Sequence, residues 1–414
     1  MNCSIFARFS SLCLVFVPAV TACSMTDIAG EVGVGSVGGQ TSAGGATNTV
    51  GGQVSTVGGT TNNNAGGTAN TSAGGTVVNS GTTPVTASVG LPCDVLQDAG
   101  NPCVAAHSTV RLLVSGYSGP LYQIQRTSDN AVQDIGTVNG YADAGLQQVF
   151  CAGHVCYIVT VYDQSGHSND LAPAPGGGNK TTPDNPAVAT ELPTNIGGRS
   201  VYGIRIKPGM GYRKLVGNAT AKGDEPQTIY MVTTQMSLVN GCCFDYGNAE
   251  TTARDDGNGN VEALYFGSGV IWGTGSGSGP WVMADLENGL FAGWERGQDK
   301  SISTNTSINY NFVTALLVGD TADKNNGKGR FALYGGDATS GALKTMYDGI
   351  RPEKPGYVPM QKQGSIVLGI AGDNSAAGGG LFYEGVMASG AATRQTVDAL
   401  QASVVAAGYG QGML

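Results

Sequence analysis

The stretch Trp281-Val282-Met283-Ala284-Asp285-Leu286-Glu287-Asn288 alternates with a period of two, the pattern of a β-strand. Val282, Ala284 and Leu286 then face one side of a sheet, and Met283, Asp285 and Glu287 face the other. Cα atoms two apart on a strand lie ~6.5 Å from each other, so the two carboxylates sense one another and one should hold its proton more tightly. Two readings fit this pattern: a solvated outer face, or a site in which two acids work together. Outward from this stretch, segments 109–115, 156–162, 201–206, 228–233, 262–266, 314–318 and 365–370 also read as strands, separated by Gly, Asn, Asp and Pro turns. Only 393–407 carries a helical stripe, with Val397, Leu400 and Val404 on one face and Gly408 as the stop. Many short strands and almost no helix predict an all-β fold, a β-sandwich over 91–414 with one C-terminal helix. That length exceeds an ordinary sandwich, so long loops must decorate it and build a cleft.

The 414 residues include 67 Gly and carry a net charge of -9, with no basic cluster. Nucleic acid is therefore excluded as a partner, and a neutral ligand such as a plant polysaccharide fits better. Residues 1–22 hold one basic residue, Arg8, an apolar core through Leu12, Leu14, Val15, Phe16 and Val17, and then Ala19-Val20-Thr21-Ala22-Cys23. This reads as an export signal whose end resembles a bacterial lipobox, with Cys23 as the lipidated first residue of the mature chain; plain secretory cleavage is the alternative. The apolar run is short of the ~20 residues of a spanning helix, so contact with a membrane is expected only through the lipid. From Cys23 to residue 90 the chain is Gly, Thr, Ser, Asn, Ala and Val with repeated Gly-Gly units, a composition that cannot offset its ordering entropy and predicts a flexible tether.

Of nine cysteines, Cys3 and Cys13 leave with the signal and Cys23 takes lipid, so Cys93, Cys103, Cys151, Cys156, Cys242 and Cys243 remain. An even set in an exported chain predicts disulfides. Cys93 with Cys103 and Cys151 with Cys156 can each close locally. The adjacent Cys242 and Cys243 bridge either each other or distant partners, and the bookkeeping favours their own small ring, with a Cα separation near ~3.8 Å. With only His107, His154 and His167 and no C-x-x-C pair, no metal site is expected.

The stretch Gly241-Cys242-Cys243-Phe244-Asp245-Tyr246-Gly247-Asn248-Ala249-Glu250-Thr251 is similar to the signature of the α-L-arabinofuranosidases of glycoside hydrolase family 54. So are Ile271-Trp272-Gly273-Thr274-Gly275-Ser276-Gly277-Ser278-Gly279-Pro280-Trp281 and Met283-Ala284-Asp285-Leu286-Glu287-Asn288. The likeness continues through 368–375, Phe382-Tyr383-Glu384-Gly385-Val386-Met387 and Pro102-Cys103-Val104-Ala105-Ala106-His107-Ser108. It implies a lectin-like (concanavalin-type) β-sandwich that releases arabinofuranosyl units with retention, Glu287 being the nucleophile and Asp373 the general acid/base. That chemistry needs one ionised carboxylate beneath the anomeric carbon and one protonated carboxyl beside the leaving oxygen. Glu287 is expected on a rigid strand and Asp373 in a Gly-rich turn after 365–370.

The same resemblance makes Asp285, Asn288, Trp272, Gly372 through its N–H, and the Cys242-Cys243 pair the sugar contacts. Ala371 stands where a second Gly is expected before Gly372-Asp373-Asn374-Ser375. The C-terminal arabinose-binding module of many relatives is not expected here. The expected partners are arabinose-containing polysaccharides and oligosaccharides, met by a monomer that needs no cofactor. Competing readings are a lectin-like binding protein and another pentosidase such as a β-xylosidase; a pure binder has no use for an acid/base pair.

Several motifs carry no such chemistry. Asp256-Gly257-Asn258-Gly259-Asn260-Val261-Glu262 lacks the glycine and the twelfth-position acid of a calcium loop and reads as a hairpin turn. Gly273 to Gly279 has no phosphate-loop spacing, and no G-x-S-x-G elbow occurs. Asp163-Gln164-Ser165-Gly166 reads as a structural turn.

Overall fold

The computed structural model describes residues 89–293 and 301–411. The signal segment 1–22, Cys23, the tether as far as residue 88, and Trp294 lie outside the described residues.

Two seven-stranded sheets form the sandwich. One runs in the order Cys103–Ser108, Gly380–Ser389, Gln227–Thr233, Val313–Asp320, Arg330–Asp337, Lys344–Gly349, with Ile204–Ile206 also paired to Gly380–Ser389. The other runs Leu290–Phe291, Trp281–Asp285, Glu262–Gly267, Asp245–Ala249, Ser365–Leu368, Tyr212–Lys214, Ala172–Pro173. The inner faces meet closely. Ile229 of the first sheet packs where a Cβ on Gly247 of the second would stand, and the Tyr246 ring fills the space beside Gly385.

The period-two reading of the 281 stretch sorts its apolar residues as the packing does. Val282, Ala284 and Leu286 join the main core, whereas Met283 belongs to a separate cluster with Cys243, Tyr265, Trp281, Leu290, Ala292 and Ala371 on the opposite face. That opposite face is not solvated: Met283 is fully buried and Asp285 is 2% exposed. Loops cover it, and they make the site.

Four predicted elements differ. Segment 109–115 is not a strand; the strand lies just before it at Cys103–Ser108, and Ser108 Oγ then accepts the N–H groups of Val110 and Arg111 and turns the chain away. Segment 201–206 is split into Arg199–Tyr202 and Ile204–Ile206, because Gly203 passes too close to the Phe382 carbonyl for any side chain. The strand expected at 365–370 ends at Leu368, where Gly369 turns at φ 80°. The C-terminal helix, Arg394–Ala406, is capped by Thr393 and is not alone: Pro92–Asp98, Ala144–Phe150 and the single turn Lys324–Gly327 are helical too. Such short pieces show no periodic stripe; Ala144–Phe150 is set by its cap, Asp143 accepting the Leu146 N–H.

Disulfides join Cys93 to Cys103, Cys151 to Cys156, and Cys242 to Cys243. The Cys242-Cys243 peptide is cis, which brings the two Cα atoms to 2.9 Å rather than the trans spacing.

Candidate active site

The strand Trp281–Asp285 ends one turn earlier than the sequence implies, so Glu287 is not on it. The Leu286 N–H donates to the Gly289 carbonyl, and the Glu287 N–H donates to Asp285 Oδ1 at 3.0 Å. This Asp-anchored turn holds Glu287 at φ 75°, a left-handed backbone that a non-glycine residue adopts only when its surroundings over-determine it. The consequence is direction. Glu287 is aimed along the sheet toward the turn after Ser365–Leu368, although two strands, Glu262–Gly267 and Asp245–Ala249, lie between.

Its target is Gly372. A Cβ on that residue would stand 2.6 Å from Glu287 Oε2 and 2.1 Å from Glu250 Oε2, so only a glycine lets the turn close over both carboxyls. Asp373 follows immediately. Its Oδ1 accepts the Ser375 N–H at 2.8 Å, its carbonyl accepts the Asn179 N–H, and Asn374 takes φ 66°. Ala371 needs no glycine conformation; it packs at 5% exposure against the cluster that holds Cys243 and Trp281.

Arg213 locks this turn. Its guanidinium donates to the Gly372 carbonyl at 2.7 Å, to Asn374 Oδ1 at 2.6 Å, to Ser365 Oγ at 3.1 Å, and to the Glu250 carbonyl. It is 3% exposed. Burial pulls its pKa down to about 10, against the opposing fields of Glu250, Glu287 and Asp373.

The acids are more numerous than the two read from the strand. Buried Asp245, Glu250 and Asp285 form a cluster with half-buried Glu287, and burial is the largest cause of the upward pKa of each. Asp285 is raised to about 7, restrained by hydrogen bonds from Asp245 and from the Glu287 N–H. Asp245 is held well above the carboxylate range by burial and then by Asp285. Glu287 is raised by burial and then by the neighbouring Glu250 carboxyl. In each pair, Asp245 with Asp285 and Glu250 with Glu287, one carboxyl disfavours the ionisation of the other.

The remaining predicted contacts gather around this cluster. Cys243 Sγ lies 3.0 Å from Asp285 Oδ2; a disulfide sulfur carries no hydrogen, so this is a sulfur surface laid against the carboxyl. Cys242 and Cys243 meet Asp285 as a group of metal-type atoms, but closed disulfide sulfurs are not the thiolates a zinc site requires. The Trp272 ring lies flat on Gly289, where a Cβ would fall 1.6 Å from a ring carbon, and meets Tyr357 edge-on at 5.0 Å. Lys354 Nζ sits 4.6 Å over the same ring. Asn288 is exposed and donates through Nδ2 to Asn258 Oδ1, which also accepts the Tyr357 hydroxyl. The hairpin turn set aside in the sequence thus carries a rim residue, Asn258.

Sequence reasoning missed Arg213, Glu250, Asp245 and Asn258. Asp245 and Glu250 stood inside the quoted 241–251 block, and alternation put Asp245 beside Gly247 on the face opposite Tyr246. Arg213 had no local signal, since its partners lie 37 to 161 residues away.

The family model for "Alpha-L-arabinofuranosidase B, catalytic" matches residues 92–410. The arabinofuranosidase/β-xylosidase of Trichoderma koningii is 49% identical over 323 residues, 77% of this chain and 63% of that protein. The α-L-arabinofuranosidase B of Emericella nidulans is 48% identical over 325 residues, 77% of this chain and 62% of that protein. The chain therefore spans less than two thirds of these relatives' length. Among solved structures, an arabinofuranosidase complexed with arabinofuranosyl-α-1,2-xylobiose superposes with TM-score 0.73 at 45% identity, covering 78% of this chain and 66% of that one. A family 54 α-L-arabinofuranosidase soaked with a cyclic sulfate inhibitor gives TM-score 0.72 at 45% identity, with coverages of 77% and 65%.

Proposed function

The chain belongs to the α-L-arabinofuranosidase B catalytic family, and from that premise we propose that it removes terminal α-L-arabinofuranosyl units from arabinan and arabinoxylan side chains with retention. The observation that supports the proposal is the approach of Glu287 Oε2 to Gly372, the residue before Asp373, in the turn that follows Ser365–Leu368.

In the first half of the reaction Glu287 attacks the anomeric carbon while Asp373 gives its proton to the leaving oxygen. In the second half Asp373 takes a proton from water as that water displaces Glu287. Asp285, Asn288 and the Gly372 N–H are the polar partners of the furanose hydroxyls. The Cys242-Cys243 disulfide and Trp272 are the apolar walls for its C–H faces. Arabinose-containing oligosaccharides are the partners this supports, with the protein acting as a monomer.

The test is hydrolysis of 4-nitrophenyl α-L-arabinofuranoside by the full chain. Proton NMR of the first product should show the α anomer, Glu287→Gln should abolish turnover, and Asp373→Ala should still release nitrophenol, which needs no protonation. A β product, or equal loss in both variants, overturns the assignment. One relative's name includes β-xylosidase, so xylosidase activity is a second reading, tested with 4-nitrophenyl β-D-xylopyranoside. The export signal supports secretion, with Cys23 as the point of lipid attachment to a bacterial membrane. Among the described residues no helix is long and apolar enough to cross a membrane. Mass spectrometry of the mature N-terminus decides between lipid and plain cleavage.

A further inference from the structure

Glu250 is fully buried, yet no N–H or hydroxyl among the described residues reaches either of its carboxyl oxygens. Its carbonyl, not its carboxyl, receives Arg213. The carboxyl points instead at the space over Gly372 that Glu287 Oε2 also enters, so the two oxygens lie within about 5 Å, where carboxyls titrate as a pair. We propose, on the reading of Glu287 as nucleophile, that Glu250 is its proton partner: in the reacting enzyme Glu250 holds the proton the two share and donates it as a hydrogen bond to the Glu287 carboxylate.

The surroundings force a shared proton. Asp245, Asp255, Asp256, Asp285 and Asp373, with Tyr357, act on this region, and the Arg213 cation opposes them. Among the described residues no ion pair reaches either carboxyl, so a full negative charge on half-buried Glu287 beside one on fully buried Glu250 is poorly compensated. In the resting site burial and the neighbouring Glu250 favour the protonated form of Glu287. As Glu287 bonds to the anomeric carbon and the bond to the leaving oxygen breaks, Asp373 protonates that oxygen and the shared proton passes to Glu250. When water, losing its proton to Asp373, displaces Glu287, the freed carboxylate takes up the hydrogen bond from Glu250 again. No proton is gained or lost by the pair over a cycle.

Gln at position 250 keeps a donor and no charge, so it imitates the protonated acid; Ala does not. With the full chain and 4-nitrophenyl α-L-arabinofuranoside, Glu250→Gln should retain a tenth or more of kcat/KM, and Glu250→Ala should lose a hundredfold or more. In Glu250→Gln burial, Asp285 and Asp255 still raise Glu287 but the Glu250 share is gone, so the acidic limb of the pH profile should move to lower pH. Equal loss in Gln and Ala variants, or an unmoved limb, overturns the proposal. Infrared spectroscopy in heavy water at neutral pH gives a readout without turnover: the difference spectrum of Glu250→Gln against wild type should show the loss of one carboxylic-acid C=O band, the bands of the other protonated acids cancelling. No loss in that difference spectrum refutes it even if Glu250→Ala fails to fold. Inactivity of the wild-type chain sinks the functional reading, while the infrared result still decides whether the pair exists.

Discussion

Replacing Gly372 by Ala adds one methyl group at the point where the two halves of the site touch. The new Cβ would stand 2.1 Å from Glu250 Oε2, 2.5 Å from Val261 Cγ2 and 2.6 Å from Glu287 Oε2. Ordinary contact begins near 3.4 Å, so something must yield by about 1.3 Å. Gly372 is not among the glycines with positive φ, which leaves volume, not backbone strain, as the cause. Val261 is in the core and the Arg213 clamp holds the Gly372 carbonyl, so the carboxyls or the turn must move. Overpacking of this kind costs about 1–3 kcal/mol of stability. An error of about 1 Å in placing a reacting group costs on the order of 100-fold in rate. The expected result is a kcat lowered about 100-fold on 4-nitrophenyl α-L-arabinofuranoside, with a Tm lowered by only several degrees. Turnover within threefold of wild type would refute the claim that Glu287 and Asp373 are set by the closure over Gly372.

Asp285→Asn tests the buried acid. With its pKa raised to about 7, the folded state prefers neutral Asp285, so its stabilising share is complete below the unfolded value of ~3.9 and is lost as pH rises through about 7, roughly 4 kcal/mol at full effect. The Tm difference between Asp285→Asn and wild type should therefore grow in favour of the variant from pH 4 to pH 7, and a flat difference contradicts the shift. Arg213→Lys keeps the charge but not the fork that spans Gly372, Asn374, Ser365 and Glu250. It should lower kcat/KM at least tenfold, more on poor leaving groups than on nitrophenol, because the Asp373 turn loosens; full activity would deny the clamp. Cys242→Ala with Cys243→Ala removes the sulfur surface against Asp285 and should raise KM about tenfold with a smaller change in kcat; a kcat effect at constant KM would assign the sulfurs to another role.

The sandwich could be read from short apolar runs between turns, and at the 281 stretch from a period-two row, Val282, Ala284 and Leu286, that enters the main core. Site positions resisted that reading for two reasons. Glu287 looks like a strand residue, and only the Asp285 turn, a hydrogen bond between neighbours in space, takes it off the strand. Arg213 and Glu250 are ordinary polar residues in sequence; their meaning comes from pairing across the sheet, which no local pattern encodes. Trp272 lies between: a motif marked it, but its seat on Gly289 depends on a turn formed seventeen residues later.

Strand order has a consequence for how the site comes into being. Ser365–Leu368 inserts between Asp245–Ala249 and Tyr212–Lys214, so a late part of the chain completes the middle of a sheet between two strands made more than a hundred residues earlier. Contacts so distant in sequence are slow to close. During synthesis, the acids at 245, 250, 285 and 287 must therefore wait, with the sheet open between residues 214 and 245, until residue 373 has been added. The acid cluster is completed in one late step, when the turn that carries Gly372 and Asp373 joins it.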